Sequence, residues 1–150
     1  MGLNRLKGLL QRHRRVALDA NVFIYQLEAN ALYLPLTDVV FTWLEGPNAE
    51  AVTSTITMTE LLVHPYREND ELWVNEYYGL FARYPNLSWI APDLEIAGLA
   101  AELRARHRLR TPDALLAATA ATAGVTALIT NDAVFERVET FATLVLDRLL

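Results

Sequence analysis

Leu3, Leu6, Leu9 and Leu10 recur at the spacing of one helix face, which predicts an amphipathic helix over residues 3–15. A different rhythm follows. Short apolar runs rich in small or β-branched residues occupy 15–18, 51–54, 87–90, 127–130 and 143–146, and each reads as a strand. Between them the pattern returns to helical spacing, over 21–27, 36–44, 69–84, 94–107 and 112–123. Gly46-Pro47 stops the second of these and Gly124 closes the last. A further helix opens at Thr57, with Pro65 expected to end it. Strands alternating with helices predict an α/β domain: a central parallel sheet of about five strands with helices on both faces. Residues 1–15 then form an N-terminal helical extension and 16–150 the domain proper.

Composition narrows this picture. A chain of 150 residues with 53% hydrophobic content fits one domain around one core and argues against disorder. It has no cysteine, which excludes a disulfide framework and a thiolate metal site and suits a cytoplasmic protein. The basic start lacks the long apolar stretch of a secretory signal. The uncharged segment 114–130 is broken by threonines and Gly124, and reads as a buried helix followed by a strand rather than a membrane span.

Acids punctuate the ends of these elements. Asp19 follows the first strand and Asp132 the fourth; Glu60 comes early in the helix after the second; Asp113 lies in the first turn of a helix running back along the sheet. In a parallel sheet those positions share the carboxyl edge, where ligands bind. Carboxylates packed together resist ionisation unless a cation joins them. An all-oxygen cluster suits a hard divalent ion, and such an ion points to chemistry on phosphates. The net charge of −5 does not oppose this, because setting four site carboxylates aside leaves −1.

Each acid alone has a structural alternative. Thr57-Met58-Thr59-Glu60 matches a capping box. Asp113 fits an ordinary helix start, with Thr111 as N-cap and Pro112 at N1. Asp132 can cap a short helix toward Phe135. Asp19 is hardest to dismiss, since an acid directly after a buried strand needs a partner and Asn21 is small. Arg104, Arg106, Arg108 and Arg110 are either cations at a helix C-terminus or a basic rim gripping phosphates. His13, His64 and His107 lack ligand spacing and read as surface residues. Trp43, Trp73, Tyr77, Tyr78 and Phe81 follow helical spacing, as core or dimer contacts.

Four segments in this order, Leu18-Asp19-Ala20-Asn21-Val22-Phe23-Ile24, Thr57-Met58-Thr59-Glu60-Leu61, Arg110-Thr111-Pro112-Asp113-Ala114-Leu115 and Thr130-Asn131-Asp132, resemble the PIN domain, and within it the VapC-type toxins. The resemblance runs from Val16 to Leu146. It implies a Mg²⁺- or Mn²⁺-dependent endoribonuclease, a hydrolase in which Asp19, Glu60, Asp113 and Asp132 hold the metal and Asn21 and Thr130 support it. It also implies an RNA substrate, a small antitoxin partner and a homodimer, with no membrane. Arg106, Arg108 and Arg110 are expected to contact substrate. The alternatives are a stand-alone PIN ribonuclease and a non-catalytic signalling or scaffold domain. A receiver-like phosphoacceptor would need a lysine on a late strand, and the lone lysine is Lys7. Such toxins often begin almost directly with the first strand, whereas here residues 1–14 precede it.

Overall fold

The computed structural model describes residues 2–150, the side chain of Phe81 excepted. The predicted aromatic contact of Phe81 therefore lies outside what is described. Five strands form, β1 (Arg15–Leu18), β2 (Glu50–Ser54), β3 (Leu87–Ile90), β4 (Ala127–Thr130) and β5 (Ala142–Val145). Every pairing is parallel and the order is β3-β2-β1-β4-β5. The expected parallel sheet is thus present. The helices are α1 (Gly2–Arg12), α2 (Ala20–Leu27), α3 (Leu34–Leu44), α4 (Thr55–Arg67), α5 (Glu71–Arg83), α6 (Leu94–His107) and α7 (Thr111–Thr122).

Alternate strand residues face opposite ways, and the two faces have separate cores. Val16, Leu18, Ala51, Ala127 and Ile129 pack under α1 to α5. Ala17, Val52 and Leu128 pack under α6 and α7. Burial on both faces explains why the strands read as continuous apolar runs. Leu6 and Leu10 of α1 are fully buried in the first core, and such burial is worth about 1.5–3 kcal/mol per leucine.

Several helix boundaries differ from the sequence expectation for identifiable reasons. Helix α1 stops at Arg12, and the link that follows is tied to the sheet by a 3.0 Å contact between His13 Nδ1 and Thr126 Oγ1. Ser54 caps α4, its hydroxyl accepting from the Ile56 N–H at 3.1 Å, so the helix opens at Thr55. Thr57 is then buried inside the first turn, its hydroxyl 2.7 Å from that of Thr53. Thr53 in turn donates to Leu18 O at 2.8 Å. With Thr57 used in this way the capping box does not form, and Glu60 is free of it. Pro65 does not end α4, which continues to Arg67. So near the terminus the ring forfeits a single ladder bond, and the Asp70 N–H closes onto Pro65 O at 2.9 Å. Helix α7 starts at Thr111 after Arg110, with no side-chain cap, so Thr111 is not its N-cap. Gly124, at φ +69°, ends the segment as expected.

The strand order reverses between β1 and β4: the chain builds outward through β2 and β3, then returns to the other side of β1. Asp19 and Asp132 stand on the two sides of that switch point.

Candidate metal centre at the carboxyl edge

Asp19 directly follows β1 and is buried, with 7% of its surface exposed. Its Oδ1 accepts the Ala20 N–H at 2.8 Å, which caps α2. Its Oδ2 accepts the Thr130 hydroxyl at 2.7 Å and, more weakly, Asn21 Nδ2 at 3.4 Å. Thr130 also accepts the Asp132 N–H at 2.9 Å, so one hydroxyl ties the ends of β1 and β4 together. Asp132 is exposed, and its Oδ1 accepts from Val134 N at 3.0 Å, capping the 3₁₀ turn Ala133–Arg137. Asp113 occupies the third position of α7 with only 7% of its surface exposed. Glu60 lies on the second turn of α4 with solvent access.

These four acids act on one another. Burial raises the Asp19 carboxyl above its ordinary value. Its hydrogen bonds from Thr130 and Ala20 oppose the rise, and the charges of Asp113 and Asp132 add to it. Partial burial, then the charges of Asp19 and Asp113, push Glu60 up to about 7, against the pull of Arg110. Asp113 is raised by burial and by Asp132, although Arg110 works the other way. The site thus concentrates negative charge where desolvation already penalises it.

One cation joins this group. Arg110 Nε meets Asp113 Oδ2 at 3.2 Å while its own side chain stays largely exposed. The acids are therefore not left solely to each other. The other two arginines lie differently. Arg106 pairs with Glu102 at 2.8 Å on the surface of α6. Arg108 is the left-handed residue closing α6, at φ +55°. Of the histidines, His64 is exposed and His13 and His107 are half-buried.

Among the described residues, no three acidic or imidazole side chains already stand as a closed ligand cage. A hydrated divalent ion does not require one, because Mg²⁺ takes one or two carboxylates and keeps several waters. The donor set fits such an ion: all oxygen, mutually repelling, with the buried Asn21 Oδ1 lacking a hydrogen-bond partner beside Asp19. The residues that would hold it are Asp19, Glu60, Asp113 and Asp132.

A second network escaped the sequence analysis. Asn131 Nδ2 donates to the Tyr25 hydroxyl at 3.1 Å, and Asn131 Oδ1 accepts the Asp147 N–H at 2.8 Å. The Tyr33 hydroxyl donates to the Asp147 carboxylate, and the Tyr25 and Tyr33 rings stack 4.2 Å apart. Together they clamp the loop that carries Asp132. Position was the available signal: Asn131 sits between Thr130 and Asp132, and Tyr25 lies one helical turn beyond Asn21.

The model of the PIN domain matches residues 16–140. No curated protein sequence matches the chain. Solved structures do resemble it. The VapBC-1 structure from nontypeable Haemophilus influenzae matches with a TM-score of 0.68 at 21% identity, over 89% of this chain and 98% of that one. FitAcB from Neisseria gonorrhoeae gives 0.67 at 19% identity, over 87% and 97%. VapBC2 from Rickettsia felis, solved with a DNA fragment from its promoter, gives 0.64 at 18% identity, over 86% and 96%. At these identities the likeness speaks for the fold. The match over most of the length, with the parallel sheet and its switch point, places the chain in the PIN-domain family.

Proposed function

We propose that the protein is a cytoplasmic, Mg²⁺- or Mn²⁺-dependent endoribonuclease that hydrolyses RNA phosphodiester bonds, and that it is the toxin of a toxin–antitoxin pair. The observation that carries this reading is the set of four acids around the switch point, coupled through their charges and joined by one arginine. A divalent ion bound among them supplies charge neutralisation at a phosphoryl oxygen and lowers the pKa of the attacking water. The chain's own parts prepare the site. Thr130 and the Ala20 N–H fix both oxygens of Asp19, and the same hydroxyl steadies the start of the Asp132 turn. Asn21 holds Asp19 from the side and keeps an acceptor free. Arg110 is assigned the phosphate contact, since its exposed guanidinium lies beside Asp113.

The toxin assignment draws support from the folds it resembles, one of which is a toxin–antitoxin complex from Klebsiella pneumoniae; a small antitoxin is the proposed partner. The test is cleavage of a labelled RNA pool. Cleavage is expected with Mg²⁺ or Mn²⁺, absent after thorough chelation and restored on adding either ion. Undiminished cleavage in EDTA would sink the metal mechanism.

A homodimer is also proposed. Trp43 and Tyr77 pack into the core, but Tyr66, Leu72, Trp73 and Tyr78 on α4 and α5 stay exposed. Apolar surface of this kind marks interfaces. Light scattering should give twice the monomer mass, and a monomer at micromolar concentration would count against the dimer.

A further inference from the structure

Charge is divided along this chain in a way the candidate site does not use. Residues 1–15 hold five of the 13 lysines and arginines and none of the 18 acids; residues 16–150 have eight cations against those 18 acids, a formal charge of −10. The basic segment is ordered: α1 turns Leu6 and Leu10 into the core and leaves Arg5, Lys7 and Arg12 outside, with Arg14 exposed just beyond it. Among the described residues none of these four cations forms an ion pair, whereas the next, Arg15, pairs with Glu50 at 3.3 Å.

Placement gives the segment direction. Arg5 and Arg12 are seven positions apart, two turns along one flank, about 10 Å in rise. Lys7 lies on the other flank, beside Asp38 and Trp43 of α3. The start of α1 abuts the turn that follows β5: a Cβ on Gly2 would lie 1.6 Å from Leu149 O. That turn follows the carboxyl end of β5, so this end of α1 lies toward the sheet edge that carries the acids. The other end leads through Arg14 to the start of β1, at the amino edge.

We propose that Arg5, Arg12 and Arg14 form a phosphate-binding strip along α1 that holds single-stranded RNA running from the rim of the acidic site down the height of the sheet. The argument is charge complementarity. A site of four carboxylates with Arg110 as its cation repels a polyanion, so attraction has to come from elsewhere on the molecule. A basic amphipathic helix could instead lie on an anionic membrane, but that mode needs its apolar face free. Here Leu6 and Leu10 are 0% and 1% exposed, committed to the core.

The inference rests on the RNA reading of the site, and its test is independent of cleavage. Binding of a labelled single-stranded RNA is followed by anisotropy in EDTA over a salt series, for the full chain and for Arg5→Ala/Arg12→Ala/Arg14→Ala. The triple variant should bind at least about tenfold more weakly at low salt, with the slope of log K against log salt reduced by about 2, roughly 0.7 per cation lost. The matching triple lysine variant should keep both, which separates charge from folding. Lys7→Ala, on the other flank, should leave the slope unchanged. An unchanged slope in the triple alanine variant overturns the strip, as does an equal loss from Lys7→Ala. Loss of phosphatidylserine-vesicle binding in the triple alanine variant, with its RNA affinity intact, would transfer the helix to a membrane role and equally overturn it. Wild-type RNA binding with the predicted slope but no metal-dependent cleavage would leave the strip standing and defeat the nuclease reading.

Discussion

Asp19→Asn is expected to abolish RNA cleavage, by at least about a hundredfold, while the fold survives. Two consequences of one substitution have to be weighed. Losing the carboxylate removes a negative charge from a buried position already strained by Asp113 and Asp132, which favours the metal-free protein. The amide keeps an acceptor for the Ala20 N–H, but it presents a donor where Thr130 and Asn21 now donate to Oδ2. A mismatched buried hydrogen bond costs about 1 kcal/mol, similar in size to the repulsion relieved. The melting temperature in chelator should therefore stay within about 3 °C of the parent. Activity retained together with a large loss of melting temperature would make Asp19 a structural residue.

Glu60→Gln should also stop cleavage, yet stabilise the metal-free protein above neutral pH. Asp19, Glu60 and Asp113 all have carboxyl groups raised above their ordinary values, so the folded state keeps those protons longer than the unfolded chain. Their contribution to stability is complete below the ordinary carboxylate range and is lost as pH rises, through about 7 for Glu60. In chelator, the parent should lose melting temperature from about pH 4 to about pH 7. Glu60 makes no hydrogen bond that its amide would forfeit, and its solvent access screens the effect to roughly 1 kcal/mol. Glu60→Gln should flatten the upper part of the decline and melt about 2–4 °C higher at pH 8. A parent protein whose stability rises between pH 5 and 7 in chelator would contradict the charge crowding at this site.

Much of the architecture was legible because its signals are local. Strands buried on both faces read as apolar runs, and Gly124 marked the end of α7 through a backbone geometry that glycine adopts freely. The shared edge of Asp19, Glu60, Asp113 and Asp132 followed from topology, since all four positions fall after strands or at a returning helix start. What was not legible depended on where each helix begins and stops and, for one network, on partners distant in sequence. Thr57 looked like a cap because the sequence does not mark Ser54 as the residue that ends the strand and caps the helix, which leaves Thr57 in the first turn against Thr53. Pro65 looked like a stop because its penalty depends on how many turns follow, and here almost none do. The arginine run looked uniform, yet Arg106 is still inside α6 and pairs with Glu102 one turn back, whereas Arg110 lies beyond the left-handed residue Arg108 that ends the helix and meets Asp113. The clamp of Tyr25, Tyr33, Asn131 and Asp147 joins residues more than 100 positions apart.

The central claim is that these four carboxylates hold a divalent cation, and the position of Mn²⁺ in crystals tests it most directly. Anomalous scattering from crystals grown with Mn²⁺ should show an ion among Asp19, Glu60, Asp113 and Asp132, absent from crystals of Asp19→Asn grown in the same way. An ion bound elsewhere, or a peak that persists at full height in Asp19→Asn, would contradict it.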